Sequence, residues 1–321
     1  MNRRQMLGLT MGAVLQHAGK ALAAPHSGAI PIVDCHIHLF DTGRPGGVPW
    51  PEKSDTVIYK PALPGRYERM VRPLGVVGAI AVEASPLPGD NDWVLQQAAA
   101  HPILVGMVGD LIPGEPSFPH QLERLRANSL FLGIRYGNLW NRDLFTDVKM
   151  PGFVPDLRRL AASGLEMDSA NPDPRLIAGL LRVSDAVPEL RMVIDHLPGA
   201  PAPAEPGALR EYQSNLERLS QNPRVYVKLS EIPARVGARV RLDLPFYQQK
   251  LDAIWETFGE DRILYGSDWP NSDHLATYAE TLGLVRSYVM AKGGTACEKF
   301  FWRNSVAAYQ WRPRQPDQPA L

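Results

Sequence analysis

Two histidines stand two residues apart in the stretch Ile32-Val33-Asp34-Cys35-His36-Ile37-His38-Leu39-Phe40. An apolar run broken by a polar residue at every second position has the period of a strand. Side chains alternate faces along a strand. The pattern therefore predicts Asp34, His36 and His38 on one face, with Cys35 and Ile37 on the other. Two imidazoles converging at the end of a buried strand can hold a metal ion, activate a water, or serve as a hydrogen-bonded structural pair. Two further apolar runs end the same way: residues 190–197 close on His196 and residues 263–269 on Asp268.

The elements that must position these groups are readable from the rest of the chain. From Pro31 onward, strand-like runs occupy residues 32–40, 78–84, 103–111, 130–136, 165–170, 190–197, 225–231 and 263–269. Helix-like segments separate them at 66–74, 91–100, 119–127, 153–162, 174–187, 209–220 and 246–258, and two more at 275–290 and 296–309 complete the series. Short β-rich runs alternating with helical patterns imply βαβ units and a parallel sheet. Eight repeats in one domain-sized chain predict an α/β fold of the (β/α)8 TIM-barrel type over residues 30–311. No Gly-x-Gly-x-x-Gly follows the first strand, which argues against an open dinucleotide-binding sheet.

In such a barrel the active site lies at the C-terminal ends of the strands. His36 and His38 on strand one, His196 on strand six and Asp268 on strand eight then share one rim. Glu83 and Ser85 from strand two, Arg135 from strand four, and Lys228, Ser230 and Glu231 from strand seven join them. Asp195 alternates with His196 and is expected to face the helices as a structural residue. The two cysteines, Cys35 and Cys297, make no disulfide framework, and Cys35 reads as a small buried apolar residue.

Bulk properties exclude several partners. Lys+Arg and Asp+Glu both number 34, so the chain carries no electrostatic footprint for nucleic acid or an anionic membrane. No apolar run is long enough to span a bilayer, so the chain is not expected to be an integral membrane protein. Residues 1–23 have the layout of a signal peptide: Arg3-Arg4, a weakly apolar stretch, and Ala21-Leu22-Ala23 before a cut after Ala23. The adjacent arginines resemble a twin-arginine export signal. They predict contact with the export machinery and a periplasmic or otherwise exported product. Residues 312–321, rich in Pro and Gln, are expected to form a frayed C-terminal tail.

Val33-Asp34-Cys35-His36-Ile37-His38, Val193-Ile194-Asp195-His196 and Tyr265-Gly266-Ser267-Asp268-Trp269-Pro270 together resemble the amidohydrolase superfamily. More narrowly, they resemble its amidohydrolase-related group of L-fuconolactonase-like and 2-pyrone-4,6-dicarboxylate lactonase-like enzymes. Weaker matches are Ala81-Val82-Glu83-Ala84, Gly133-Ile134-Arg135-Tyr136, Lys228-Leu229-Ser230 and Asn304. The resemblance implies a hydrolase with His36, His38 and His196 as site histidines and Asp268 as the base. It matches Arg135 and Arg235 to arginines that hold substrate carboxylates, and so implies a carboxylate-bearing lactone as substrate. Ser85 and Lys228 are further candidates for substrate binding. The alternative for Arg135 is a buried ion pair with Glu83 or Asp168, and for Lys228 a structural pairing with Glu231.

Metal-dependent members of the superfamily usually add a ligand on strand four or five, and here those strands end in Gly133-Ile134-Arg135 and Glu166-Met167-Asp168. The resemblance therefore implies at most one divalent ion, zinc or manganese, on His36, His38 and Asp268 with His196 or Asp168 assisting. A metal-free reaction, with imidazoles stabilising the oxyanion, stands equally open. The expected reaction is hydrolysis of a cyclic ester, a sugar lactone or a pyrone carboxylate: Asp268 accepts a proton from water and returns it to the leaving oxygen. Rival readings are a decarboxylase or hydratase of the same superfamily, and a non-catalytic exported binding protein. Substrate choice is expected to lie in loops such as 42–64 and 200–207.

Overall fold

The computed structural model describes residues 30–321; the expected signal peptide lies outside the described residues. In chain order the strands are β1 (Ile32–Ile37), β2 (Val76–Val82), β3 (Leu104–Gly109), β4 (Phe131–Arg135), β5 (Glu166–Asp168), β6 (Arg191–Ile194), β7 (Val225–Leu229), β8 (Ala234–Val236), β9 (Arg239–Arg241) and β10 (Ile263–Tyr265). Eight of them form one parallel sheet in the order β1 to β7 and then β10. A parallel bridge between Ile37 and Trp269 brings the first and last strands together, and the His38 amide donates to the Trp269 carbonyl at 2.7 Å. This is the expected (β/α)8 barrel. The short antiparallel hairpin β8–β9 is an addition that the strand pattern did not announce.

Two apolar layers hold the barrel, as its burial on both faces requires. Val33, Cys35, Ile80, Val82, Leu132, Val193, Tyr226 and Leu264 fill the interior. Ile37, Ala81, Met107, Ile134, Met192, Val227 and Tyr265 face outward against the helices. Trp302, Tyr309 and Trp311 from the C-terminal segment join the inner layer.

β1 departs from simple alternation. Asp34 pairs with Ala79 and Ile37 with Ala81, so three steps on β1 oppose two on β2. Such a bulge reverses the facing of everything beyond it. Cys35 therefore points into the barrel, and His36, the next residue, does so too. Asp34 lies on the opposite side from the histidines, accepting from the hydroxyls of Tyr67 and Tyr278 at 2.9 Å each and from the Ser267 amide. The expected common face for Asp34, His36 and His38 is thus corrected. Asp34 is the anchor that ties the histidine strand to its helices. Cys35 is buried as expected, although inward, and burial pushes its thiol up.

Asp195 is a second correction. Ile194 faces the helices, so alternation turns Asp195 inward; His196 then takes a left-handed conformation (φ 51°), which lets two consecutive side chains enter the barrel. The tail is a third. Arg314 donates to the carbonyls of Leu104 (2.7 Å) and Ala99 (3.1 Å), and the buried Gln318 to those of Val77 (3.0 Å) and Pro102 (2.9 Å). Those carbonyls lie before or at the starts of β2 and β3, so residues 312–321 are pinned across the bottom of the barrel. Among the described residues, no helix is long and apolar enough to cross a membrane.

Candidate active site

His36, His38, His196 and Asp268 meet at the C-terminal mouth of the barrel, where the sequence pattern placed them. The two Nε2 atoms of His36 and His38 are 3.2 Å apart, and Asp268 Oδ1 lies 3.2 Å from His38 Nε2 and 3.6 Å from His36 Nε2. His196 Nε2 is 4.0 Å from the same oxygen. Gly266 precedes Asp268 where a Cβ would come 2.9 Å from that of His36, so glycine lets β10 close against the histidine strand.

Hydrogen bonds orient each ring. His38 Nδ1 donates to the Val82 carbonyl at 3.1 Å, which turns its Nε2 toward Asp268. The Ser230 hydroxyl accepts from the His196 amide (3.2 Å) and can pass its own proton to His196 Nδ1 (2.8 Å). That arrangement leaves the His196 Nε2 proton facing the cleft. Burial holds the His36 imidazole well below its ordinary pKa and brings that of His196 down to about 4, so both rings are neutral.

Two carboxyls at the mouth are driven apart. Burial disfavours charge on Asp268, but the imidazoles of His196 and His38 outweigh it and hold the carboxyl below its ordinary range. Burial and the neighbouring Asp268 charge push Glu231 up to about 8. Asn271 bridges the two, donating to Asp268 Oδ2 at 2.7 Å and Glu231 Oε1 at 3.3 Å. Asp268 is thus the ionised member at neutral pH and Glu231 carries the proton.

The remaining predicted residues divide. Arg135 lines the cleft but pairs through Nε with Asp195 Oδ2 at 3.2 Å and donates to the Ser169 carbonyl at 3.1 Å, with Glu83 3.9 Å away. It is an ion-paired group, and its main partner is Asp195 rather than Glu83 or Asp168. Lys228 is fully buried beneath the histidines, bound to Asp168, to Asp195 (2.9 Å) and to His36 Nδ1 (3.1 Å), and makes no contact with the cleft. The expected pairing with Glu231 is replaced by these two aspartates. Asp168 is committed to Lys228 and to the Tyr309 hydroxyl (2.8 Å), which removes it from any metal seat. Ser85 accepts from the Leu87 amide at 3.2 Å as a turn residue and does not line the cleft. Arg235 sits exposed on the β8–β9 hairpin, donating to the His274 carbonyl, and is likewise outside the cleft.

The cleft, about 490 Å³, is completed by residues that the motif reading did not single out: Trp50, Asn138, Trp140, Asn141, Asn171 and Asn271. Asn271 follows Asp268 by three positions and was the one within reach of a strand-end argument. Trp140 and Asn141 are consecutive left-handed residues (φ 57° and 62°), a backbone state the sequence does not advertise. Trp140 Nε1 donates to Glu83, and the Trp50 ring packs edge-on to His38 at 5.3 Å.

The residues fit a single metal ion. A tetrahedral zinc with bonds of about 2.0–2.2 Å sets its ligand atoms about 3.3–3.6 Å apart, close to the triangle of His36 Nε2, His38 Nε2 and Asp268 Oδ1. Asp268 Oδ1 is buried and has no hydrogen-bond donor among the described residues, which is the state expected of an oxygen reserved for a cation or a reacting proton.

Comparison with known proteins agrees with this architecture. An L-fucono-1,5-lactonase of Burkholderia ambifaria is 28% identical over 242 residues, covering 75% of this chain and 80% of the relative. An L-fucono-1,5-lactonase of Burkholderia multivorans is 26% identical over 303 residues, covering 89% and 97%. Among solved structures, an amidohydrolase from Burkholderia multivorans with bound zinc superposes with a TM-score of 0.76 at 22% identity, covering 88% of this chain and all of that one. The profile of the Amidohydrolase family matches residues 33–311, and the chain belongs to that family.

Proposed function

We propose that this hydrolase is a lactonase that opens a hydroxyl-rich cyclic ester, of the kind a sugar lactone presents. The observation that carries the reading is the convergence of one carboxylate oxygen, Asp268 Oδ1, unpartnered among the described residues, with the imidazoles of His36, His38 and His196 at the mouth of a 490 Å³ cleft. Asp268 accepts the proton of a water lying between it and the lactone carbonyl. The His196 Nε2 proton, oriented by Ser230, faces the position where the carbonyl oxygen gains charge. The proton held on Asp268 then returns to the departing ring oxygen. His36, His38 and Asp268 would hold a divalent ion, which when bound supplies positive charge against the same carbonyl oxygen. The zinc in the Burkholderia multivorans amidohydrolase supports zinc as that ion.

The lining favours hydroxyls over carboxylates. Arg135 is the one arginine or lysine there among the described residues, and its Nε lies 3.2 Å from Asp195, whereas Glu83, Glu231, Asp268 and four asparagines offer hydrogen bonds to hydroxyl groups. Trp50 and Trp140 supply apolar faces against which a sugar ring can lie. The names of the two lactonase relatives favour the sugar lactone over the pyrone carboxylate. Asp268→Asn tests the assignment. Hydrolysis of sugar lactones, followed by acid release, should fall by about 10²–10⁴-fold. Near-normal turnover in that variant, or preference for a pyrone carboxylate over every sugar lactone, would overturn the reading.

A further inference from the structure

His36 touches two groups through Nδ1, and they make opposite demands on its proton. Lys228 Nζ lies 3.1 Å from Nδ1, and Asp195 Oδ1 lies 3.5 Å from it. An ammonium has three N–H donors and no acceptor. Those of Lys228 make hydrogen bonds to Asp168 Oδ2 and to His36 Nδ1, and Asp195 Oδ1 lies 2.9 Å away as an ion-pair partner. His36 Nδ1 therefore accepts, and the ring proton must stand on Nε2. The next contact agrees. His36 Nε2 faces His38 Nε2 at 3.2 Å, and His38 already carries its proton on Nδ1, donated to the Val82 carbonyl. One directed chain runs from Lys228 through His36 and His38 to the backbone of β2.

This chain conflicts with the metal seat inferred above. A ligating Nε2 needs a free lone pair, and the metal-bound state usually has Nδ1–H donating to a carboxylate or carbonyl. We propose that Lys228 is a positioning residue that sets the tautomer of His36, and that metal uptake by His36, His38 and Asp268 requires His36 Nδ1 to pass from Lys228 to Asp195. In that step a proton leaves Nε2 and one is taken up at Nδ1, so the imidazole stays neutral. Lys228 thereby opposes metal binding and favours the donor arrangement, and Asp195 is the acceptor held ready for the other state. This inference rests on the proposed metal seat.

The test uses the whole chain labelled with 15N-histidine and stripped of metal, with His36 assigned by its loss in His36→Gln. Two-bond proton–nitrogen correlation should report the Nε2–H tautomer of His36 without metal and Nδ1–H after zinc is added. A second measurement is zinc affinity by titration, where Lys228→Met should bind zinc at least about 10-fold more tightly than the native chain. An Nδ1–H tautomer in the metal-free native chain overturns the role of Lys228 and needs no variant to fold. Unchanged or weaker zinc binding by folded Lys228→Met overturns the opposition. Zinc that leaves the His36 resonances unmoved overturns the seat itself, a failure distinguishable from the first.

Discussion

Asn271 links the two carboxyls whose proton affinities diverge, and its amide is the one donor to Asp268 Oδ2 that the geometry provides among the described residues. A hydrogen bond to a charged group contributes about 1.5–3 kcal/mol. Asn271→Ala should therefore lower kcat by roughly 10–100-fold through misalignment of Asp268, with the thermal midpoint changing little. Steady-state kinetics beside a melting curve checks this, and a change confined to KM would contradict it. At this scale the sequence was most legible where a polar side chain interrupts an apolar strand end. His36, His38, His196 and Asp268 each did so, because a buried strand tolerates such residues only with partners or a task. Asp195 was misread for a different reason. His196 follows it into the barrel through a left-handed turn that breaks the alternation, and a non-glycine residue gives no compositional sign of that state.

The barrel strands and their order were readable because each βαβ unit repeats the same alternation of short apolar runs and helical periods. The bulge in β1 was not, since one extra residue leaves composition and spacing untouched while changing every facing beyond it. The loop after β1 reaches the cleft through Trp50. It is strapped down at three points: Arg44 pairs bidentately with Asp90, Asp55 meets His274 at 2.8 Å, and Trp50 packs on His38. Arg44 and Asp90 are partly buried and lie outside the proton-transfer groups. Arg44→Ala should loosen the loop and raise KM by about three- to tenfold while kcat falls less, because a pair of this kind contributes on the order of 1 kcal/mol. Saturation kinetics with a sugar lactone reads the split. A fall in kcat at constant KM would instead place the loop in the chemical step.

Across the whole molecule, the two ends of the barrel divide its work. The C-terminal mouth accepts unpaired groups such as Asp268 Oδ1, while the opposite end is closed by Trp302, Tyr309 and Trp311. Tyr309 reaches from that plug to Asp168 at 2.8 Å, and Asp168 in turn holds Lys228, so the bottom of the barrel supports the ion network beneath the histidines. Residues 312–321 extend the closure. The sequence suggested fraying because proline and glutamine carry little apolar surface, yet Arg314 and Gln318 satisfy carbonyls that the first turns of the barrel leave free. Each such bond contributes about 1 kcal/mol net, more where the donor is charged. Deleting residues 312–321 should therefore lower the unfolding free energy by about 3–5 kcal/mol, read as a shift in the urea midpoint at unchanged slope. Because the deletion stops short of Tyr309 and Trp311, lactone turnover at low temperature should remain within about twofold of the full chain. A deletion without effect on the midpoint would return the segment to the status of a free tail. A loss of turnover with an unchanged midpoint would mean that the bottom closure acts on the histidine site directly, through Tyr309 and Asp168.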